Sequence, residues 1–116
     1  MKESKIRLLF VCTINRMRSA TAHTIFEEDN RFDVKSAGTS AHANNVLNDE
    51  MLKWADTIVV MEKSHRNFIQ KNYREIYNSK KIICLYIKDE YDYMQPELIA
   101  ILKERMDDIL MKGLLS

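Results

Sequence analysis

The chain has 116 residues, of which 46% are hydrophobic and 30% are charged, and its formal net charge is +1. This composition is typical of a globular protein, and we expect residues 1–116 to form a single domain. The small net charge gives no basis for expecting nucleic-acid or membrane binding, and no apolar segment approaches the length of a bilayer span.

Cys12 and Cys84 are the two cysteines of the chain. Two cysteines do not make the disulfide framework of a small secreted domain, and the amino terminus lacks the cationic-then-apolar pattern of a secretory signal. None of the three histidines stands at a metal-ligand spacing from either cysteine. We therefore expect a cytoplasmic protein that needs no metal and no other cofactor.

Strand-like apolar runs alternate with amphipathic helical patterns along the chain. Strands are predicted at residues 6–11, 32–35, 57–61 and 81–87. Helices are predicted at residues 20–28, 46–55, 62–77 and 96–110, with Pro96 in the first turn of the last one. The small and polar residues 36–45 are predicted to form a surface connection. This alternation predicts a three-layer α/β/α fold around a four-stranded parallel sheet.

A thiol stands at the junction between the first predicted strand and the first predicted helix. Cys12 ends the apolar run, and Arg18 and Ser19 follow six and seven residues later. Unpaired N–H groups and the helix dipole make such a junction an anion site and favour the thiolate. Arg18 adds a planar set of donors that matches phosphate oxygens. A small buried core residue is the alternative interpretation of Cys12, but the context favours a nucleophile in a phosphate-binding loop.

An acidic segment follows the fourth predicted strand, at the same carboxyl edge of the sheet as Cys12. Cleavage of a phosphate ester by a thiolate needs an acid for the leaving oxygen and then a base for water, and one carboxyl group can serve both steps. From the residues alone the candidates are Asp89, Glu90 and Asp92. Tyr91 or Tyr93 is a candidate pocket wall. An ordinary solvated loop is the alternative.

The sequence VCTINRMRSATA at residues 11–22 resembles the phosphate-binding loop of low-molecular-weight protein tyrosine phosphatases, in which Cys is followed by five residues and Arg-Ser. Ser-Ala-Gly-Thr at 36–39, ADTIVVM at 55–61 and Asp-Glu-Tyr at 89–91 are similar to further segments of that family. The likeness runs from about Ile6 to Leu110. It is closest to a compact bacterial-type branch, in which stretches similar to MEKSHRN and DEYDYMQPELI recur.

The resemblance implies a phosphatase that works through a phosphocysteine intermediate on a phosphotyrosine-containing protein or a small aryl phosphate, without a cofactor. It implies that Cys12 is the nucleophile, that Arg18 clamps the transition state, and that Asp89 is the general acid and later the base. Ser19 would hydrogen-bond the thiolate, and Asn15 would hold a left-handed turn. The implied substrate-binding residues are Thr13, Ile14, Asn15, Arg16, Met17, Ser19 and Tyr91.

Several positions depart from the family pattern. Ile14 stands where larger relatives usually have Gly, and Met17 replaces a second loop cysteine that many members use to protect the nucleophile. Glu90 replaces a Pro, and the stretch between residues 36 and 54 is shorter than in larger members. Arg16 stands at a generally apolar or Thr position, where it either adds positive charge at the pocket mouth or points to solvent.

Two other activities stay open at this point. An arsenate reductase on the same fold would need further redox cysteines, and only Cys84 remains for that role. A phosphocysteine carrier or a phosphate-binding module without turnover has less need of the Arg18-Ser19 pair. Other notable residues are expected to be structural: Trp54 and Met61 in the core, Cys84 inert in a strand, His65 in the first turn of a helix, and His23 on the surface.

Overall fold

The computed structural model describes residues 5–115, so residues 1–4 and 116 of the expected domain lie outside its description. Its strands are β1 (Ile6–Cys12), β2 (Phe32–Gly38), β3 (Thr57–Val60) and β4 (Lys81–Cys84). Its helices are α1 (Arg18–Phe26), α2 (Asp49–Trp54), α3 (Lys63–Asn72), α4 (Arg74–Ser79) and α5 (Pro96–Met111). The strands form one parallel sheet in the order β2-β1-β3-β4, which confirms the predicted sheet.

Helices cover both faces of this sheet. Leu8, Phe10 and Cys12 of β1 belong to a core cluster that also contains buried residues of α1 and α5. Leu9 and Val11 point to the opposite face and join a second cluster with residues of α2, α3 and α4. Because successive side chains of a strand alternate between faces, a strand buried on both sides has to be apolar throughout. The predicted three-layer arrangement is therefore confirmed.

The strand order brings Cys12 to a crevice at the carboxyl edge of the sheet. From β1 the chain passes to β2 on one side and then returns to place β3 on the other side of β1. Cys12 is paired with Gly38 of β2, and Val11 with Val60 of β3. Open parallel sheets bind ligands outside the strand ends where the connections change direction, and the loop between β1 and α1 lies at that point.

Several element boundaries differ from the sequence-based prediction, including that of the first helix, which spans Arg18–Phe26 rather than residues 20–28. Ser36, Ala37 and Gly38 are buried in β2 rather than part of a surface connection, so that connection is limited to residues 39–45. The helix predicted at 62–77 is two helices, α3 and α4, separated at Tyr73, whose φ and ψ of −138° and 56° are not helical. The helix predicted at 46–55 is shorter because the Asn48 side chain caps α2.

The fourth strand also ends earlier than predicted, because Tyr86 adopts a left-handed φ of 56°. The backbone N–H groups of Leu85 and Ile87 still donate to the carbonyls of Val60 and Met61, at 2.9 and 2.8 Å. Tyr86 itself is turned outward and is exposed. The chain beyond β4 therefore keeps following β3 irregularly, and it leads directly to the acidic segment.

The remaining structural expectations concern large apolar residues. Met61 is fully buried, as predicted, whereas Trp54 is only partly buried. The Lys35 ammonium lies over the Trp54 ring, 4.6 Å from its centre. Helix α5 begins at Pro96 and buries the residues Leu98, Leu102, Met106 and Ile109 along one face. Within residues 5–115, no helix has the length and apolar character needed to cross a bilayer.

Candidate active site

The loop between β1 and α1 is held from behind by residues 39–45. The carbonyl oxygens of Cys12, Thr13 and Ile14 accept hydrogen bonds of 3.0, 2.9 and 2.9 Å from backbone N–H groups of that segment. The next carbonyl, that of Asn15, accepts from the side-chain amide of Asn44 at 3.1 Å. Four successive carbonyls of this loop are therefore turned toward residues 39–45.

The orientation of these carbonyls fixes the direction of the loop amides. In a planar trans peptide the N–H of the next residue points opposite to the carbonyl, so the N–H groups of Thr13, Ile14, Asn15 and Arg16 point away from residues 39–45. The Asn15 N–H donates to Cys12 Sγ at 3.2 Å, in line with this orientation. Converging backbone N–H groups make an anion-binding concavity, and the amino end of α1 adds its own unpaired donors.

Asn15 and Ser19 lie behind the thiol. Asn15 has a φ of 59°, a conformation that Asn tolerates better than most residues. Its side-chain amide donates to Ser19 Oγ at 2.8 Å, and Ser19 Oγ lies 2.9 Å from Cys12 Sγ. All three residues are buried. The turn at Asn15 and the thiol are thus tied together through one hydroxyl group.

Arg18 is the first residue of α1, and only 2% of its side chain is exposed. Its Nη1 donates to the Glu62 carboxylate and, at 2.8 Å, to the carbonyl of Ile87. Its Nε lies 3.8 Å from Asp89 Oδ1. Since Nη1 is engaged by the protein, the edge formed by Nε and Nη2 is the one suited to bind two phosphate oxygens.

A cavity of about 150 Å³ opens over this loop and is lined by Cys12, Thr13, Ile14, Arg16, Met17, Arg18 and Asp89. Asp89 comes from the segment after β4, and 65% of its side chain is exposed. A thiol and a guanidinium from one loop and a carboxylate from a distant segment therefore meet around one small space. Its small size and the two arginines that line it, Arg16 and Arg18, suit a compact anion rather than an extended apolar ligand.

The predicted wall residue Tyr91 is not among the residues that line this cavity. Tyr91 is partly buried and packs against the core cluster on the α1 and α5 side. Tyr93 is half-exposed and its hydroxyl bonds Thr24 Oγ1 at 2.8 Å. Glu90 and Asp92 are exposed, so the carboxylate that the segment brings to the cavity is that of Asp89.

Sequence reasoning missed two residues of the site, Glu62 and His65. Both stand at the start of α3, which follows β3 at the same edge of the sheet. His65 is a first-turn residue, as expected, but it is 2% exposed and its Nε2 lies 2.9 Å from Thr13 Oγ1. Burial, reinforced by the charge of Arg18, lowers the pKa of His65 to about 4. Both residues directly follow the buried strand β3, and this position in the sequence is the signal that could have identified them.

The other titratable candidates lie apart from the cavity. His23 Nδ1 is 2.7 Å from Ser36 Oγ, and its side chain is 35% exposed. Cys84 is partly buried, and this burial raises the pKa of its thiol. Within residues 5–115, no group of three or more His, Cys, Asp or Glu side chains is arranged to hold a metal ion.

Solved structures share this architecture over nearly the whole chain. The YwlE arginine phosphatase from Geobacillus stearothermophilus aligns with 93% of this chain and 94% of its own, at a TM-score of 0.69 and 23% identity. A low-molecular-weight protein tyrosine phosphatase from T. tengcongensis aligns with 94% of this chain and 99% of its own, at a TM-score of 0.71 and 23% identity. The tyrosine phosphatase Wzb from Escherichia coli K30, solved with phosphate, aligns with 94% and 99%, at a TM-score of 0.73 and 16% identity.

No family model matches the sequence, and no curated protein matches it. The similarity to known proteins is thus detected in the three-dimensional structure. The chain has the fold of the low-molecular-weight protein tyrosine phosphatases, and the resemblance found in the sequence is confirmed at that level.

Proposed function

We propose that this protein is a phosphatase that hydrolyses phosphotyrosine-like phosphate monoesters through a phosphocysteine intermediate. The observation that carries the proposal is the meeting of Cys12, Arg18 and Asp89 around one cavity. The inward-facing loop amides support it, because they supply donors where charge develops on the transferred phosphoryl group. The structural relatives, which are named as phosphatases, also support it.

In the first step the Cys12 thiolate attacks phosphorus, and a bond forms between sulfur and phosphorus as the ester bond breaks. Asp89, in its acid form, gives its proton to the leaving oxygen, so the alcohol or phenol departs neutral. Arg18 and the loop amides hold the equatorial oxygens through the transition state. The Ser19 hydroxyl stabilises the negative charge on sulfur before attack.

In the second step Asp89, now a carboxylate, takes a proton from water. The water oxygen bonds to phosphorus while the phosphorus–sulfur bond breaks, which releases phosphate and regenerates the thiolate. Asp89 suits both steps, because it lines the cavity and yet is largely exposed to water. Asn15 acts indirectly, by holding the Ser19 hydroxyl against the thiol.

The substrate class is proposed from the shape of the cavity and from the relatives. Ile14 is 41% exposed at the cavity mouth and offers an apolar surface to an aromatic leaving group. Tyrosine phosphatases and an arginine phosphatase share the fold, so an aryl phosphate and phosphoarginine are the two substrates to compare. A cytoplasmic location and a single domain over residues 1–116 are part of this proposal, in keeping with two unpaired cysteines.

The two rival activities are less well supported by the site. Arsenate reduction through further redox cysteines would rely on Cys84, which lies on β4 and does not line the cavity. A phosphocysteine carrier without turnover has no use for Asp89 beside the nucleophile. Thiol-dependent arsenate reduction, or a stable phosphorylated Cys12 with negligible release to water, would favour these rivals.

The test is hydrolysis of p-nitrophenyl phosphate and of phosphoarginine by matched variants. Cys12→Ser is expected to abolish turnover while Cys84→Ser retains it, because only the first thiol attacks phosphorus. Asp89→Asn is expected to lower kcat by about a hundredfold, whereas the exposed Asp92→Asn in the same segment has little effect. Turnover that survives Cys12→Ser would disprove the proposal. A preference for phosphoarginine would change the proposed substrate from an aryl phosphate to phosphoarginine, and the phosphocysteine mechanism would still apply.

A further inference from the structure

The side chain of Glu62 joins the catalytic loop to helix α3. Its carboxylate accepts a hydrogen bond from Arg18 Nη1, and Glu62 is also the N-cap residue of α3, where it forms a capping box with His65. Arg18 is almost fully buried, whereas the Glu62 side chain is 39% exposed. The Glu62 carboxylate is therefore the nearer of the two carboxylates that pair with the buried guanidinium, and it links Arg18 to a helix that begins at the same edge of the sheet.

The ring of His65 continues this chain of contacts to the other end of the loop. Its Nδ1 accepts a hydrogen bond of 3.0 Å from the Glu62 backbone N–H, so the proton of the neutral ring is on Nε2. Nε2–H then donates to Thr13 Oγ1 across 2.9 Å. A pKa near 4 keeps the ring in this neutral form at ordinary pH.

The polarity of the last contact decides what the Thr13 hydroxyl does. Because the oxygen of Thr13 accepts from His65, its own hydrogen is free to donate to another group. Thr13 lines the cavity next to Cys12. A hydroxyl donor directed to that space serves a bound oxyanion.

We propose that Glu62 and His65 are positioning residues that hold Arg18 and Thr13, at the two ends of the loop, in the geometry that binds the phosphoryl group. This inference rests on the proposed function and extends it to residues outside the Cys-to-Arg loop. Glu62 leaves the Nε and Nη2 edge of Arg18 for the substrate. His65 turns the Thr13 hydroxyl into a donor. Neither residue lines the cavity.

A purely structural role as a helix cap is the competing explanation, and α2 offers a matched control. The Asn48 side chain caps α2 by accepting from the Met51 N–H at 2.9 Å, and this contact involves no residue of the loop. Asn48→Ala therefore removes a helix cap without touching Arg18 or Thr13. A loss of anion binding in the Glu62 or His65 variants that Asn48→Ala does not show would indicate that these residues position the loop and do not only cap the helix.

The first experiment measures the affinity for inorganic phosphate by calorimetry, together with kcat and KM for p-nitrophenyl phosphate. Glu62→Ala is expected to weaken phosphate binding and to lower kcat/KM by about tenfold or more, since the buried guanidinium loses its nearer charged partner. Glu62→Gln keeps an acceptor for Arg18 and the cap, so it is expected to recover part of this loss. Asn48→Ala is expected to match the wild type in both measurements.

The second experiment uses His65→Gln and His65→Ala. Gln offers an acceptor and a donor that replace Nδ1 and Nε2, so it is expected to stay within about threefold of the wild type. His65→Ala is expected to lose about tenfold in phosphate affinity, because the Thr13 hydroxyl is no longer oriented. In the wild type, a nitrogen NMR signature of the Nε2–H tautomer is expected for His65.

The outcomes separate this inference from the proposed function. Phosphate affinities of Glu62→Ala and His65→Ala that equal that of Asn48→Ala would overturn the inference, even if the wild type hydrolyses aryl phosphates normally. Wild-type protein that binds phosphate but hydrolyses neither substrate would overturn the proposed function. The phosphate affinities of the variants would then still decide whether Glu62 and His65 position the loop.

Discussion

The Ser19 hydroxyl lies 2.9 Å from Cys12 Sγ while it accepts a hydrogen bond of 2.8 Å from the Asn15 side chain. Its single hydrogen therefore goes either to the sulfur or to the carbonyl of Ala37, which is more distant at 3.4 Å. The shorter contact favours donation to sulfur. In the proposed mechanism, Ser19 is thus placed to stabilise a negative charge on Cys12, both before attack and when the thiolate leaves phosphorus.

Ser19→Ala is expected to lower kcat for p-nitrophenyl phosphate by about tenfold to a hundredfold, the range for losing a hydrogen bond to a charged group. The loss falls on breakdown of the phosphocysteine, so rapid-mixing measurements are expected to show a burst of nitrophenolate. Ser79→Ala removes a hydroxyl that bonds the Ile76 carbonyl at the end of α4, and it serves as the matched control. Equal kcat values for the two variants would exclude this role of Ser19.

Gly38 lies directly behind the catalytic loop. A Cβ at this position would come 2.5 Å from the Thr13 carbonyl oxygen and 2.6 Å from Ala43 Cβ. Gly38→Ala is therefore expected to displace the loop and to lower kcat/KM by about a hundredfold, since ångström-scale misplacement of a catalytic group has effects of that order. Urea denaturation is expected to show a loss of about 2 kcal/mol from overpacking.

Gly113→Ala is the control for this substitution. Gly113 has a φ of +69°, but a Cβ added there would meet no atom of the described residues within 4 Å, so the change costs about 1 kcal/mol through backbone strain alone. We expect its kcat/KM to equal that of the wild type. A Gly38→Ala protein with full activity would show that the loop tolerates displacement from behind.

The part of the site that the sequence predicted is the part built from neighbouring residues. The end of β1 and the start of α1 are separated by one short loop, so a local pattern places Cys12 and Arg18 together. The hydrogen bonds from Glu62 to Arg18 and from His65 to Thr13 join residues 44 and 52 positions apart. They depend on β3 lying beside β1, and the chain pattern alone does not specify that strand order.

Similar limits explain the errors in element boundaries. The apolar periodicity of Phe68, Ile69, Tyr73 and Ile76 continues across the break between α3 and α4, so it does not indicate where the helix ends. The sequence gives no sign of the left-handed Tyr86 that ends β4, because such conformations are expected of Gly or Asn rather than an aromatic residue. At Tyr86 the hydrogen bonds of Leu85 and Ile87 to Val60 and Met61 hold the backbone on either side of the turn.

His65 makes the stability of the fold depend on pH in a defined window. Its pKa is about 4 in the folded protein and 6.5 ordinarily, so between these values the unfolded chain binds more protons. The free energy of unfolding is therefore expected to be full above pH 6.5 and to fall as the pH is lowered toward 4. The difference between the two pKa values corresponds to about 3 kcal/mol.

Urea denaturation of the wild type and of His65→Gln from pH 7 to pH 4 measures this contribution. The variant is expected to lack the His65 part of the decline, so the stability of the wild type should fall more steeply than that of the variant between pH 6.5 and pH 4. The pKa values of Asp29 and Asp56 are lowered by hydrogen bonds from Arg31 and Arg7, but both proteins carry these carboxylates and their effect cancels. Parallel curves would refute the assignment to His65.

Arg16 is expected to affect substrate binding and leave the chemical steps unchanged. Its side chain is exposed and lines the cavity, and within residues 5–115 no carboxylate forms an ion pair with it. The guanidinium therefore attracts the phosphate dianion through solvent, an interaction that salt screens. Arg16→Ala is expected to raise KM for p-nitrophenyl phosphate about threefold at low salt with kcat unchanged, and the difference should vanish near 0.5 M salt. Arg74→Ala removes the same charge outside this cavity and should leave KM unchanged, so equal KM values for the two variants would contradict the prediction.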